Sequence, residues 1–206
     1  WYLMGVALSA GGAFAWYREQ FARELASASN ANERLVAEAS AVPRGADGLT
    51  FLPYLQGERT PHRDASARGV LLGLSLAHQR RHVTRAVLEG ICFALRDSLA
   101  ILRELGVTPD DLLLTGGGAR SAFVRTLQAE VLGLPVATAN REEGPAYGAA
   151  LLAAVGAGAF PDLESAVSST LSRSVLEHPP HGAHAEYDDA YRRFRQAYGA
   201  TRAQRG

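Results

Sequence analysis

Apolar positions along the chain fall in short runs, and the spacing inside each run separates strands from helices. "WYLMGVAL" (1–8) is continuously apolar until "SAGG", the pattern of a buried strand. "AFAWYREQFARELA" (13–26) then sets Phe14, Tyr17, Phe21 and Leu25 at helical spacing. The Ala-, Ser- and Asn-rich stretch 27–48 predicts a weak helix, then a connector with Pro43 and Gly45. "GLTFLPYL" (48–55) and "RGVLLGLSL" (68–76) predict strands flanking the polar loop "QGERTPHRDASA". The longest helix is predicted from His82 to Leu105. Val83, Val87, Ile91, Ala94, Leu95, Leu99 and Leu102 share one of its faces, and Gly106 stops it.

Beyond residue 106 the order is strand 111–115, helix 121–132, strand 135–139 and helix 145–156, the last opened by Pro145. That alternation predicts parallel strands joined by crossover helices, hence an α/β fold. The Ser/His/Pro-rich segment 172–185 reads as loop. A final helix, 185–200, carries Tyr187, Tyr191, Phe194 and Tyr198 along one stripe, a docked face or, alternatively, a homodimer contact. The whole reads as one α/β domain, with 160–206 its terminal loop and helix.

Composition narrows the partners. Formal net charge is zero and the pI is near 7.2, so no global field attracts nucleic acid or an anionic membrane. No apolar run reaches the length of a membrane-spanning helix. All 21 cationic residues are arginine, which excludes a lysine Schiff base or a Walker-type phosphate lysine within these residues. Cys92 is the one cysteine; it fits a reducing compartment, and a cytoplasmic setting is expected. The opening run lacks the basic flank of a secretory signal and starts at Trp1 without Met, so a piece of a longer protein is expected.

Chemistry concentrates at "LLLTGGGARSAFVRTL" (112–127), three glycines between a strand and a helix. In open α/β sheets, ligands sit where a strand's carboxyl end turns into a helix, and the helix start offers free N–H groups to an anion. Ser121 can cap that helix or touch the ligand. The pattern matches neither G-x-G-x-x-G nor the P-loop, and by itself a glycine triplet is also a plain turn.

The segments "FLPYLQGERTPHRDASARGVLLGL", "RAVLEGICFALRD", "LTGGGARSAFVRTLQAEVLGLPV" and "EEGPAYGAALLAAVGAG" occur in this order. Together they resemble the carboxyl-terminal half of the FGGY carbohydrate kinases over residues 1–160. "GERTPH" and "GPAYGAA" pull towards the xylulose-kinase branch of that family. The resemblance implies a ribonuclease-H-like, actin-type domain on the nucleotide side of a two-domain sugar kinase. It implies ATP with Mg²⁺, a pentulose as substrate, and the amino-terminal domain of the same enzyme as partner. "TGGGA" becomes the adenosine motif, and "EEGPAYGAA" a hinge-proximal helix. Gly118 and Gly11 fall on nucleotide-contacting glycines, with Gly116, Gly117, Ala119, Ser121 and Ala122 around them. Ala15 and Ala122 stand where glycerol kinases have side-chain amides, leaving base recognition to backbone and shape.

The family's phosphate turn and catalytic aspartate lie upstream of Trp1 in this correspondence. None of Asp64, Asp97, Asp110 and Asp111 has the catalytic context, so no catalytic residue is assigned and these residues alone are expected to be inactive. Another FGGY kinase, acting on glycerol, gluconate or ribulose, or a non-catalytic nucleotide-binding module from a truncated gene, are the alternatives. His178, His181 and His184 have metal-like spacing but neither helical periodicity nor a thiolate or carboxylate partner, and read as exposed loop. Glu142 and Glu143 suit the dipole of the helix they precede, or help to position nucleotide. Glu58 and Arg59 pair structurally or reach a cleft.

Overall fold

The computed structural model describes residues 2–25, 27–140 and 144–202. The helices are α1 (Ala10–Phe21), α2 (Ala31–Ser40), α3 (Arg80–Glu104), α4 (Ala122–Leu132), α5 (Gly144–Gly156), α6 (Leu163–Thr170), α7 (Ala183–Glu186) and α8 (Asp188–Arg202). The strands are β1 (Thr50–Leu52), β2 (Val70–Leu72), β3 (Leu112–Leu114), β4 (Val136–Ala139) and β5 (Arg173–Glu177). β1 and β2 form an antiparallel ribbon, and the other three form a sheet in the order β3-β4-β5.

Helix α3 organises the domain. Its start is closed by a capping box in which the Gln79 N–H donates to His82 Nδ1 at 2.8 Å. Thereafter α3 is buried on more than one side, packing on α1, α2, α4 and β1. Contact with β1 is backbone to backbone: a Cβ on Gly90 would stand 2.2 Å from the Phe51 carbonyl oxygen. No other residue fits that crossing.

The predicted parallel pair forms. β3 and β4 run parallel, Leu112 opposite Val136, joined through α4. The segment read as loop over 172–185 is different: Arg173–Glu177 is β5, antiparallel to β4, and Ala183–Glu186 is α7. Polar composition hid the strand because both of its ends are anchored by charge, Arg173 to Asp111 and Glu177 to Arg125.

The strand predicted over 1–8 does not form. Among the described residues it has no partner strand, and its backbone turns instead to the polar loop. The Val6 N–H donates to Thr60 Oγ1 at 2.9 Å, and the Thr60 N–H returns to the Val6 carbonyl at 3.0 Å. Tyr2, Leu3 and Met4 remain exposed.

The aromatic stripe of the last helix is a docked face. Tyr187 and Phe194 are fully buried, and Phe93 on α3 makes ring contacts with Tyr187, Tyr191 and Phe194. Each fully buried ring contributes about 2–3 kcal/mol. Tyr198 continues the ladder to Tyr54 and stacks on His62 with ring centroids 3.5 Å apart. Desolvation there brings the His62 pKa down to about 4. Cys92 is a small core residue in the same cluster, its thiol pushed up to about 12 by burial.

Candidate functional site

Strand β3 delivers the chain to Gly116, whose φ of 77° and ψ of −165° require glycine. A 3-10 turn, Gly117–Arg120, follows, and Ser121 then caps α4 by accepting the Val124 N–H at 3.3 Å. Capping is therefore the role that the geometry gives the Ser121 side chain. Helix geometry leaves the amides of Ala122 and Phe123 to other partners.

Neither of the next two glycines has an internal reason to be glycine. Neither takes a positive φ. A Cβ on Gly117 would meet nothing within 4 Å, and one on Gly118 would touch only Val124 Cγ1 at 3.5 Å and Gln128 Nε2 at 4.0 Å. Gly116, Gly117 and Ala122 are exposed, while Gly118, Ala119 and Ser121 are half-buried. The turn thus presents bare backbone over an open surface.

Arg125, which pattern reading did not single out, holds this turn in place. Its Nη1 donates to the Ala119 carbonyl at 2.8 Å, and its Nε donates to Glu177 Oε1 at 3.2 Å. Thr126 adds a bond to Glu177 Oε2. Nothing local in the sequence signals this, because the acceptor is a residue of β5 far along the chain.

Gly11 lies exposed in the first turn of α1, with open space at its Cβ position. Ala15 is half-buried one turn on. α1 packs on α3, anchored by a 2.8 Å bond between the Tyr17 hydroxyl and Thr84 Oγ1. α4, bearing the glycine turn, packs on α3 as well. The two glycine sites therefore share one rigid support. A hollow of about 330 Å³ lies beside α1, lined by Trp16, Tyr17, Phe21 and Phe51. A second, of about 270 Å³, lies between α2 and α4 over Arg85 and Glu130.

Most of the other flagged residues have structural partners, while His178 and His181 are exposed. Asp64 accepts from Ser66 and from the Tyr198 hydroxyl, Asp97 from the Tyr191 hydroxyl, and Asp111 pairs with Arg173. His184 bonds the Val131 carbonyl through Nδ1 and meets Arg96 through Nε2. No group of three His, Cys, Asp or Glu side chains among the described residues is arranged to hold a metal ion. Glu58 is buried and accepts the Arg59 N–H at 2.7 Å and the Leu8 N–H at 3.1 Å. Glu142 and Glu143 lie outside the described residues. Among those described, no helix is long and apolar enough to cross a membrane.

The model of the FGGY family of carbohydrate kinases, C-terminal domain, matches residues 1–157. A xylulose kinase of Bacillus subtilis is 37% identical over 201 residues, which is 98% of this chain and 39% of that protein. The crystal structure of a ligand-bound xylulose kinase from Lactobacillus acidophilus superimposes with a TM-score of 0.82 at 32% identity, covering 95% of this chain and 39% of that one. A gluconate kinase from the same organism superimposes with a TM-score of 0.80, also at 32% identity and with the same coverage. The chain thus spans about two fifths of the length of the relatives it matches.

Proposed function

The chain belongs to the FGGY family of carbohydrate kinases and has that family's actin-like α/β fold; from this premise we propose that it is the nucleotide-side, carboxyl-terminal domain of an ATP-dependent kinase that phosphorylates D-xylulose. The observation that carries the nucleotide reading is the bare backbone of Gly117 and Gly118, glycines that no contact among the described residues requires. A ligand brought against them would meet main chain directly, with the α4 amides behind it. Gly11 contributes the second contact from α1, and Ala15 and Ala122 leave the base to be recognised by shape. ATP and its Mg²⁺ enter together as substrate.

In this reading the chain binds and orients the nucleotide, and α3 keeps the two contacts in fixed register. The base that deprotonates the sugar hydroxyl belongs to the partner domain. Asp64, Asp97 and Asp111 are already committed to structural bonds. The setting is cytoplasmic. The likeness to a gluconate kinase, with a TM-score of 0.80 against 0.82 for the xylulose kinase at the same 32% identity, supports a second reading in which the substrate is gluconate.

The test is ADP release by the full-length protein across pentuloses, glycerol and gluconate. The highest kcat/KM is expected with D-xylulose. Preference for gluconate or glycerol would move the assignment within the family, and no ADP release with any sugar would overturn it. Residues 1–206 alone are expected to turn over no sugar.

A further inference from the structure

We infer that Glu58 is a positioning residue for Gly11, acting through the amide of Leu8. The inference rests on the nucleotide reading above. Glu58 is 2% exposed, yet it has no ion-pair partner among the described residues. A buried carboxyl without a cation is costly unless hydrogen bonds satisfy it. Burial raises its pKa, the amides of Arg59, Leu8 and Thr60 pull it back, and Asp97 adds to the rise. Packing alone would be served as well by an apolar side chain. What the carboxyl adds is one oxygen that accepts the Arg59 N–H of its own loop and, across 50 residues of sequence, the Leu8 N–H, and Thr60 grips Val6 in both directions beside it.

Only Ser9 and Ala10 separate Leu8 from Gly11, a step of at most about 10 Å. Within that step the backbone bond from the Ala13 N–H to the Ser9 carbonyl starts the helix, but no side chain caps it. Ser9 occupies the cap position, but its side chain accepts no amide and its Oγ is buried without a partner among the described residues. Further along, the Tyr17–Thr84 bond fixes the helix about 9 Å beyond Gly11. Upstream, Gly5 lies against Ser98, whose Cβ would be 2.8 Å from an added Cβ. Between those two anchors, Glu58 and Thr60 set where the helix begins, and so where the Gly11 backbone faces the nucleotide.

The experiment is calorimetric titration of the full-length protein with ADP, alongside thermal melting, for Glu58→Ala, Glu58→Gln, Thr60→Val and Gly11→Val. Glu58→Ala is expected to weaken ADP binding about tenfold while still melting cooperatively. Glu58→Gln keeps both the volume and an acceptor oxygen and is expected to stay within about threefold of the parent, whereas Glu58→Met, made alongside, keeps the volume without the acceptor and is expected to bind as weakly as Glu58→Ala; parent-like binding by Glu58→Met overturns the role. Unchanged affinity in Glu58→Ala, with affinity lost in Gly11→Val, overturns the positioning role and leaves the nucleotide site standing. A loss in Glu58→Ala that Gln does not restore also overturns the role. Unchanged affinity in Gly11→Val overturns the nucleotide reading and this inference with it. If Glu58→Ala yields no folded protein, Thr60→Val decides, since it removes only the acceptor for the Val6 amide. Weakening of about threefold supports the clamp, and unchanged affinity overturns it.

Discussion

Tyr191 donates its hydroxyl proton to the buried carboxyl of Asp97, tying the last helix to α3 across 94 residues of sequence. Burial raises the Asp97 pKa, and the Tyr191 bond is the largest influence lowering it again. A carboxyl whose folded pKa is raised lends stability below its unfolded pKa and loses it as pH rises through the folded value. Removing the donor lifts the folded pKa further. Tyr191→Phe should therefore destabilise by about 1–3 kcal/mol at a pH where Asp97 is ionised, since the carboxylate then loses its hydroxyl donor and keeps Arg195 only at 3.8 Å, and by less near pH 4. Melting curves at the two pH values check it; an equal loss at both would show that the hydroxyl matters only through packing.

Gly90→Ala should cost about 3 kcal/mol or more, because the new methyl would collide with the Phe51 carbonyl, a backbone group that cannot rotate away. Denaturant titration measures it. A loss below about 0.5 kcal/mol would mean that α3 and β1 slide apart easily.

At the glycine turn the expectation is reversed. Gly118→Val has room inside the chain, with Val124 as its nearest neighbour, so the midpoint of unfolding should move little. ADP affinity in the full-length protein should fall at least about tenfold, because the side chain fills the space offered to the ligand. Unchanged affinity would assign the glycines to the turn alone.

Gly148 on α5 also has open space at its Cβ position. Leucine there raises helix propensity by about 0.8 kcal/mol, so this domain should be no less stable. If the full-length protein is the two-domain kinase proposed above, the same side chain should obstruct the approach of a facing element and lower kcat. Small-angle scattering with and without D-xylulose and a non-hydrolysable nucleotide reads the closure directly. Normal compaction together with normal kcat would show that α5 is not at a closing surface.

Periodicity located what local pattern encodes. The helix predicted from His82 to Leu105 by its apolar face matches α3 to within two residues at either end, and the β3-α4-β4 crossover follows from alternation alone. Elements held by distant partners were hidden. β5 looks like loop because Arg173 and Glu177 are chosen to meet Asp111 and Arg125 rather than to bury apolar area. Residues 1–8 look like a strand because apolar runs usually are, whereas here the acceptors for their amides sit on a polar loop some 50 residues away. Of the site, the glycines and the Ser121 cap were readable from order and spacing. The Arg125 brace was not, since its geometry depends on how β5 closes the sheet.

Cys92, sealed inside the core with its thiol held protonated, makes the chain its own reporter of opening. A thiol-specific reagent can reach it only when α3 separates from the aromatic ladder of the last helix, so at low reagent the labelling rate counts how often the core comes apart. Residues at the glycine turn can be altered without touching that clock, whereas Gly90 and Tyr191 cannot. Labelling kinetics would thus sort variants of this domain into those that change the binding surface and those that loosen the body beneath it, with no substrate present.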